Sequence, residues 1–479
     1  GKIVLNFDEK VKVGENIAGQ LKPASNLSNG FTALIPTVYG KSVIFEYSNL
    51  DYATDYVFTL PAKSIGDLTD NFIDKPILIH FTTKSRPAIT KSLYDFVVPD
   101  DGSFKEAIAK ANKREDKQKR FRIFVKQGNY TTPADEAAFV TGSDGVNYPD
   151  PITYLTASNV SIIGEDMNST TVVNTVPSNL VPTKYGDQNP IEGLHKCQTL
   201  DIGKNVTNTY LQDITLKSGL QDNTGRGAAL EDAGDKTICK GVGLYGYQDT
   251  YDTKNGNGRC YFEGGRLRGR TDFLCGKGDV YYNGVELVMC EKGGFIAVPS
   301  TPKKYGYIFK DCVVKAEKSG IDGNFTLGRP WGSGTPIALF IDTRMEARPS
   351  ALGWDEMSGG WPARYAEYNS TTATGSVIDL SGRKTIFGDG HINNPVLTAD
   401  EAAALTLETV MGGDDKWDPT AATEQAPAPE QVILSGTSLT WTDSPYTLCW
   451  AVCQNGKVIG FTTEPAFTVT DTNAKYSVR

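Results

Sequence analysis

The stretch that predicts the fold lies in the middle of the chain. Residues 239–287 read CKGVGLYGYQDTYDTKNGNGRCYFEGGRLRGRTDFLCGKGDVYYNGVEL. Glycine recurs in it at positions 241, 264 and 284, each time with a Cys or aromatic residue two places before and a leucine three places after. Repetition at a period of roughly 20–50 residues is typical of stacked repeat architectures. We therefore interpret each repeat as one coil of such a stack.

The repeat extends over about residues 205–350. Its markers are Asp213, Gly241, Gly264, Gly284, Asp311 and Asp342. The column two places before each marker holds Leu211, Cys239, Phe262, Tyr282, Phe309 and Phe340. The column three places after each marker holds Leu216, Leu244, Leu267, Leu287, Val314 and Met345.

These two columns predict a bend in every coil. They lie an odd number of residues apart, so an unbroken strand would point them to opposite faces. Gly and Asp tolerate left-handed backbone, and a bend at the marker would place both columns inside. A parallel β-helix is predicted. Antiparallel hairpins are the alternative, but they would return at shorter spacing with two-residue turn signals.

Size and charge limit the possible functions. The chain has 479 residues, with 48 Lys and Arg against 57 Asp and Glu, and a net charge of −9. Without a basic stripe, nucleic acid and anionic membranes are poor partners. No apolar run reaches the roughly 18 residues of a transmembrane helix. Because Gly1 stands in place of an initiating Met, we expect a mature or trimmed chain, from which any export signal would have been removed.

Composition shifts divide the chain into four parts. Short strand-like runs predict a small β-sandwich over residues 1–88, which resembles bacterial immunoglobulin-like modules through its YATDYVFTLP segment (52–61). The β-helix domain is expected at 89–417, followed by a Pro-, Ala- and Thr-rich linker at 418–431. Residues 432–479 are predicted to form a second β-sandwich module, or part of one, of the immunoglobulin or fibronectin kind.

Cysteine and histidine suggest neither a zinc site nor a serine hydrolase. The eight cysteines lack paired C-x-x-C spacing and are expected to be mostly buried thiols, and a Cys449–Cys453 disulfide would need a turn. No G-x-S-x-G elbow is present. We expect His80 to be structural and His195 and His391 to be surface or loop residues. The acidic pair at 414–415 lacks the spacing of a calcium loop and is expected to be solvated.

Two aspartates stand at the same place in consecutive coils. Asp249 and Asp272 each lie eight places after their markers, which predicts vertical neighbours about 4.8 Å apart. Two carboxyl groups this close cannot both ionise cheaply, so one stays protonated and can act as an acid beside a nucleophile. Gln221 has the same offset from Asp213 and would extend the polar column. The alternative is a ladder of side chains that only cap exposed backbone.

A second unusual segment is LGRPWG (327–332). A guanidinium at Arg329 could hold a carboxylate in a bidentate pair and keep it anionic. Trp331 offers a flat apolar face that suits a sugar ring. The alternative is a loop that is pinned by cation–π packing alone.

These segments resemble the signatures of a known family. GYQDT (246–250), TDFLCG (271–276) and LGRPW (327–331) are similar to three ordered motifs of pectin methylesterases. The resemblance covers about residues 92–372. It includes DGSF (101–104), VKQGNY (125–130), GW (353–354) and AEYN (366–369). It implies an all-β protein built on a right-handed, single-stranded parallel β-helix, here with small β-sandwich modules at both ends.

The resemblance also implies residue roles. Asp272 would attack the methyl-ester carbonyl of a galacturonate unit, and Asp249 would protonate the departing methanol and then activate water. Gln248 would stabilise the oxyanion and Arg329 would hold Asp272. The implied substrate contacts are Trp331, Tyr247 and Phe273. Neither a metal nor an organic cofactor is implied.

The chain departs from the family in the coil before Asp249. Where the family has a Gln-Ala-Val-Ala-Leu segment, this chain reads RGAAL (226–230), so Arg226 replaces the second oxyanion glutamine. Either Arg226 or Gln221 could supply that donor. The segment GNYTT (128–132) lacks the glutamate of the family's Gly-x-Tyr-x-Glu, and Arg270 and Cys275 are also uncommon. These changes bear on substrate preference more than on reaction type.

The expected function is removal of methyl groups from homogalacturonan in pectin. The alternatives are a β-helix glycoside hydrolase that cleaves polygalacturonate and a non-catalytic, pectin-binding β-helix protein. We expect a monomer that is secreted, periplasmic or displayed on the surface of a bacterium.

Overall fold

The computed structural model describes residues 1–14, 17–25, 32–47, 50, 54–83, 94–142, 144–176, 197–223, 225–421, 429, 431–442, 450–462 and 464–478. The chain divides into two compact units. One is Tyr94–Ala422, and the other combines Gly1–Leu93 with Thr423–Arg479. The division into four parts at 88, 417 and 431 stays a prediction.

Three parallel sheets run the length of the larger unit. The strands of the first sheet are, in order, Phe96–Val98, Phe121–Val125, Val160–Gly164, Tyr210–Gln212, Thr237–Lys240, Arg259–Glu263, Asp279–Asn283, Tyr307–Lys310, Ile337–Ile341 and Arg364–Tyr368. Those of the second are Gly128–Thr132, Thr170–Asn174, Thr215–Lys217, Gly243–Tyr245, Arg266–Gly269, Glu286–Met289, Val313–Ala316, Arg344–Met345 and Thr371–Thr372. Those of the third are Thr153–Leu155, Leu200–Ile202, Leu230–Asp232, Tyr251–Thr253, Leu274–Gly276, Phe295–Pro299 and Thr326–Gly328. The seven successive coils that begin with the strands Phe121–Val125 to Tyr307–Lys310 each contribute one strand to each sheet in turn, which confirms the predicted parallel β-helix.

The predicted bend is found at every marker. The backbone φ angles are positive, at 50° for Asp213, 57° for Gly241, 62° for Gly264, 65° for Gly284, 53° for Asp311 and 52° for Asp342. Each marker lies between a strand of the first sheet and a strand of the second. A left-handed residue turns the chain at this corner, so the columns on either side of it both point inward.

The two predicted columns form the interior of the β-helix. Their members pair in register from coil to coil, and each is at most 1% exposed. The aromatic members stack, with ring centroids 4.6 Å apart for Tyr282 and Phe309 and 4.2 Å apart for Phe309 and Phe340. Burial of each large side chain contributes about 1.5–3 kcal/mol, so the repeated columns provide the core.

Helices lie near both ends of this unit. The helix Phe104–Lys113 begins with a capping box between Ser103 and Glu106, and it buries Phe104, Ala107, Ile108 and Ala111. The helices Ala399–Ala404 and Leu407–Met411 follow the last coil, after the short hairpin Ile386–Phe387 and His391–Ile392 with the 3-10 turn Gly388–Gly390. Another hairpin joins Asp135–Thr141 to Asn147–Asp150.

The acidic pair at 414–415 is not simply solvated. Arg259 donates to the two carboxylate oxygens of Asp415 at 2.6 and 2.9 Å, and it also bonds the Met411 carbonyl at 3.1 Å. Lys236 lies 2.8 Å from the same carboxylate. Asp415 is 42% exposed, as the prediction of a solvated group requires, but it also joins the segment after the helix Leu407–Met411 to a strand of the first sheet.

The smaller unit consists of antiparallel strands. In its N-terminal part the sheets join Lys2–Asn6, Ser42–Glu46 and Pro36–Tyr39; Thr32–Leu34, Gly19–Pro23, Asp55–Leu60 and Ile77–Thr82; and Val11–Val13 and Ile65–Asp67. In its C-terminal part they join Ile433–Ser435, Ser438–Thr440 and Ala466–Thr468; and Lys457–Thr462, Trp450–Gln454 and Tyr476–Val478. All-β structure is as expected at both ends, and the immunoglobulin-like identity stays a prediction.

The cysteine prediction holds for the residues that are described. Of these, Cys197, Cys239, Cys260, Cys275, Cys290, Cys312 and Cys453 are buried thiols. Cys449 and His195 lie outside the described residues, so the predictions for them are not addressed. His80 lies exposed in the strand Ile77–Thr82, and His391 lies exposed in the last hairpin.

Candidate active site

The predicted carboxylates lie at the corner between the second and third sheets. Gln248 pairs in parallel with Thr271 of the next coil, and the Asp249 N–H donates to the Thr271 carbonyl at 3.1 Å. The next residue in each coil, Asp249 and Asp272, therefore occupies the same place one coil apart. Their predicted adjacency is confirmed by this register, and the charge of Asp272 raises the pKa of Asp249.

Both aspartates have left-handed backbone, with φ of 56° for Asp249 and 51° for Asp272. This conformation costs an L-residue roughly 1–2 kcal/mol, although Asp bears it better than most. The side chains are 8% and 6% exposed, so a costly backbone holds two carboxyl groups nearly out of water. Strain and buried carboxyl groups concentrated in one place are typical of functional sites.

Arg329 binds Asp272 as predicted. Its Nε and Nη2 donate to the two carboxylate oxygens at 2.9 and 2.6 Å. The register of Leu274 with Ala297, and of Ala297 with Gly328, places Arg329 two coils beyond Asp272. Its guanidinium reaches back over the Phe295 ring, 3.9 Å from the ring centroid, which fixes the plane of the bidentate pair.

Burial and charge separate the two carboxyl groups. Burial raises the pKa of Asp249 well above its ordinary value, and the neighbouring carboxylates of Asp252 and Asp272 raise it further. Burial also raises the pKa of Asp272 above its ordinary value, and the hydrogen bonds and charge of Arg329, with the charge of Arg270, offset part of this rise. Asp249 is therefore the group that keeps its proton to higher pH, and Asp272 is the group that ionises first.

Asp252 is a member of the site that sequence reasoning missed. It lies in the strand Tyr251–Thr253, 1% exposed, and pairs with the ammonium of Lys254. Its carboxylate is the largest charge effect that raises the pKa of Asp249. The sequence places Asp252 only three residues after Asp249, which is a spacing that could have identified it. In the structure Asp252 stands in register with Glu231 and Cys275.

The coil before Asp249 shows which of the two candidates for the second oxyanion donor lies in register with Gln248. Arg226, half-buried, pairs in parallel with Gln248, whereas Gln221 is exposed five residues earlier. The prediction that Gln221 occupies the place below Asp249 is wrong. In this coil the chain runs 13 residues from Asp213 to the position of Arg226, against seven from Gly241 to Gln248, so equal offsets do not mean equal positions.

Three side chains hold the segment that carries Arg226. The Cys197 thiol donates to the Arg226 carbonyl at 3.1 Å. Arg268 donates to both carboxylate oxygens of Asp222 at 2.7 and 2.6 Å. The Tyr247 hydroxyl bonds Asn223 at 3.3 Å, so the segment is tied to the two coils that follow it.

Tyr247 and Phe273 were expected to contact the substrate. Phe273 is 0% exposed and belongs to the interior of the β-helix, so this prediction is wrong. Tyr247 is 5% exposed, and its hydroxyl also bonds Glu291 at 3.0 Å, which makes it a fastening residue beneath the site. Trp331, by contrast, is 44% exposed.

The described residues offer acid–base groups rather than a metal site. Within them, His, Cys, Asp and Glu side chains do not gather in groups of three or more that could hold a metal ion. Every helix in the same ranges falls short of the length and apolar character that crossing a membrane requires. What the corner does assemble is a carboxyl group whose pKa is raised well above its ordinary value and a second carboxyl group held by a guanidinium, with an exposed indole two residues after that guanidinium. Such a set can transfer an acyl group through a carboxylate nucleophile.

Comparison with known proteins identifies relatives of the larger unit. A family profile described as Pectinesterase matches residues 95–414. The chain is 28% identical over 240 residues to Pectinesterase A of Dickeya chrysanthemi, covering 42% of this chain and 60% of that protein. It is 25% identical over 205 residues to the pectinesterase of Ralstonia solanacearum, covering 35% and 52%. The chain thus spans about half the length of the curated relatives it matches.

Solved structures share the fold. The pectin methylesterase from carrot matches with a TM-score of 0.52 and 17% identity, over 69% of this chain and 96% of that one. The pectin methylesterase from Aspergillus niger matches with a TM-score of 0.51 and 20% identity, over 70% and 100%. These likenesses support the parallel β-helix. Since the family profile spans well over half of its residues, the chain belongs to the Pectinesterase family.

Proposed function

We propose that the protein hydrolyses the methyl esters of galacturonate units in pectin and releases methanol. The observation that carries the proposal is the pair at the corner: Asp272 held by Arg329 as an anion, and Asp249 one coil away with a pKa raised well above its ordinary value. An ester hydrolase with a carboxylate nucleophile needs one ionised carboxyl group as the nucleophile and one protonated carboxyl group as the acid. Family membership supports the same chemistry.

The reaction proceeds in two halves. The Asp272 carboxylate attacks the ester carbonyl, and Asp249 gives its proton to the methoxide oxygen, so methanol leaves and an anhydride joins the galacturonyl group to Asp272. Asp249, now ionised, takes a proton from water, and the resulting hydroxide attacks the galacturonyl carbonyl. The C–O bond to Asp272 breaks, which releases the galacturonate carboxylic acid and restores the Asp272 anion and the Asp249 proton.

The oxyanion of each tetrahedral intermediate needs donors. Gln248 supplies one, and Arg226, which stands in register with it, supplies the second in place of the glutamine that the family usually has. Trp331 contacts the sugar ring. Tyr247 acts through the segment that carries Arg226 and does not touch the substrate.

The remaining predictions become part of this proposal. The substrate is methyl-esterified homogalacturonan, and the protein acts as a monomer that is secreted, periplasmic or at the bacterial surface. The modules at 1–88 and 432–479, the second joined through the linker 418–431, flank a catalytic domain at 89–417.

Methanol release from highly methylated pectin tests the proposal. Asp272→Asn should lower turnover by roughly a thousandfold or more, because an amide is no nucleophile, while binding of pectin and thermal unfolding stay close to wild type. Asp311→Asn is the matched control, since it makes the same change at an exposed left-handed corner.

Two results would contradict the proposal. A wild-type protein that releases no methanol from any methylated pectin cannot be this esterase. New reducing ends without methanol would instead support a glycoside hydrolase, in which the paired carboxyl groups cleave the glycosidic bond.

A further inference from the structure

A stacked aromatic pair lies beyond the catalytic corner. The rings of Trp361 and His391 are parallel within 8°, with centroids 3.7 Å apart. Trp361 is partly buried against the interior of the β-helix, and His391 is exposed on top of it. The indole therefore anchors an imidazole whose outer face is open to solvent.

The pair lies in the two segments that follow the one carrying Trp331 along the stack. Ser333, two residues after Trp331, pairs in parallel with Trp361. A Cβ at Gly360 would collide with the Gly332 carbonyl oxygen, and one at Gly388 would collide with that of Gly359. Glycine thus lets the three successive segments 331–334, 359–361 and 388–391 lie directly against one another, and each presents an aromatic ring.

The pair is too far from Asp272 to contact the sugar that reacts there. Coil-to-coil register runs from Leu274 to Ala297, then to Gly328, and then to Trp354 in the coil of Trp361. Three steps at about 4.8 Å place Trp361 roughly 14 Å along the axis from the nucleophile. A ring bound at the pair must therefore be another unit of a polymer.

We propose that Trp361 and His391 form a second sugar-binding subsite, which takes a uronate ring of the polymer whose ester reacts at Asp272. The inference rests on the proposed function, which supplies the galacturonan as occupant. A pyranose presents an apolar C–H face that packs on a flat ring, and an imidazole N–H can donate to its hydroxyl or carboxyl oxygens. Trp331, 44% exposed, lies in the segment that packs against the one that carries Trp361.

Substrates of different length distinguish binding at this subsite from binding at the catalytic corner. Trp361→Ala should raise KM for long methylated pectin by roughly 3- to 10-fold with kcat within about twofold, since stacking contacts are worth about that much. For a methyl-esterified galacturonate trimer, which is too short to reach the pair, KM should not change. Equal losses on polymer and trimer, or no loss on the polymer, would overturn the proposal.

A second variant leaves the interior untouched. His391→Asp changes an exposed side chain and places a negative charge where we expect an anionic polymer to lie. KM for pectin should rise by a similar factor, and more for sparsely esterified pectin, whose charge density is greater. An unchanged KM on both pectins would contradict the proposal even if Trp361→Ala unfolds. Val377→Ala, which truncates a side chain 69% exposed beside the second sheet, is the control and should leave KM unchanged.

Binding without turnover distinguishes this proposal from the proposed function. In the Asp272→Asn background, calorimetry with long oligogalacturonides should show the same 3- to 10-fold weakening for His391→Asp. If the wild type releases no methanol, the proposed function fails while this binding difference still supports the subsite. If methanol is released but neither variant alters binding or KM, the proposed function stands and the subsite is wrong.

Discussion

Asp249 and Asp272 have the same side chain and the same left-handed backbone, yet their main charged neighbours move their pKa values in opposite directions. Asp249 faces the carboxylates of Asp252 and Asp272, whereas Asp272 is gripped by Arg329. Both carboxyl groups are nearly buried, so the neighbouring charges are only weakly screened and decide which group ionises. The difference between the two carboxyl groups thus arises from a neighbouring side chain, Asp252 beside Asp249 and Arg329 beside Asp272.

Arg329→Lys should shift the acid limb of the pH–activity profile to higher pH. Lysine keeps the charge but loses the bidentate hydrogen bonds that lower the pKa of Asp272. This pKa therefore rises, and Asp272 stays protonated up to a higher pH. We expect kcat to fall roughly 10- to 100-fold as well. The profile of methanol release against pH measures both effects.

Arg348→Lys is the control for that change. Arg348 and Asp322 form a similar pair on the surface, with the guanidinium 2.8 Å from one carboxylate oxygen. This substitution should leave the profile of methanol release unaltered. A shift of equal size in both variants would show that the effect is not specific to Asp272.

Asp249→Asn should stabilise the fold above acid pH while abolishing activity. Asp249 holds its proton more tightly when folded, so its contribution to stability is full below its ordinary pKa of 3.8 and declines as pH rises toward the raised folded pKa. Asparagine has no proton to lose there. The two proteins should unfold alike near pH 3, and the variant should gain roughly 1 kcal/mol or more at pH 8.

Thermal or denaturant unfolding at the two pH values measures this difference. An Asn variant that is less stable than wild type at pH 8 would mean that the Asp249 carboxylate is well solvated or paired, which would remove it as the proton donor.

At the scale of one coil, the left-handed corner is the element that repeats. Six markers have φ between 50° and 65°, and they are filled by Gly or Asp alone. The corner works because it turns the chain by a fixed amount, so that the strands before and after it both present their apolar columns to the interior. Asp249 and Asp272 have the same left-handed conformation at the next corner of the coil.

Gly264 provides a test of the corner. Its φ is 62°, and a Cβ there would meet nothing within 4 Å, so a substitution acts on the backbone alone. Gly264→Ala should cost about 1–2 kcal/mol in the free energy of unfolding. Gly264→Asp should cost less, because Asp311 and Asp342 hold the same corner in later coils. Equal losses in denaturant unfolding would argue against backbone conformation as the reason for the marker.

At the scale of the whole molecule, one continuous interior runs through the larger unit. The buried cluster extends from Phe96 to Phe387, and every proposed site residue belongs to the same unit. Such a stack buries each coil against the coils before and after it, so stability is expected to grow with the number of coils.

A chain of residues 94–422 should therefore fold and retain activity. We expect methanol release from soluble pectin within about twofold of the full-length rate, because neither the proposed site nor the interior needs the other unit. The same rate assay on both proteins checks this. Loss of activity in a fragment with a normal unfolding transition would assign part of the substrate binding to the terminal residues.

Much of this fold was predictable from sequence because its contacts repeat. Phe309 stacks between Tyr282 and Phe340, and all three stand at the same offset from their markers. The adjacency of Asp249 and Asp272 followed from the same counting. Offsets fail wherever a turn changes length, which is why Gln221 was misplaced and Arg226 was the true neighbour of Gln248.

The direction in which individual side chains point, and how deeply they are buried, were harder to predict. Alternation could not show that Phe273 points into the core while its neighbour Asp272 meets Arg329, because a left-handed residue breaks the alternation at that point. Asp415 looked like a solvated surface group until its pairing with Arg259, 156 residues earlier, was visible.

The order and spacing of residues already specify the coils, their inward columns and the vertical pairing of two aspartates, since each depends on contacts one repeat apart. Tertiary structure decides the rest. Arg329 reaches Asp272 across two coils, Asp252 raises the pKa of Asp249, and His391 lies on Trp361. These contacts depend on side-chain direction and on burial, which a linear pattern does not contain, and they set the pKa of each carboxyl group apart from that of the other.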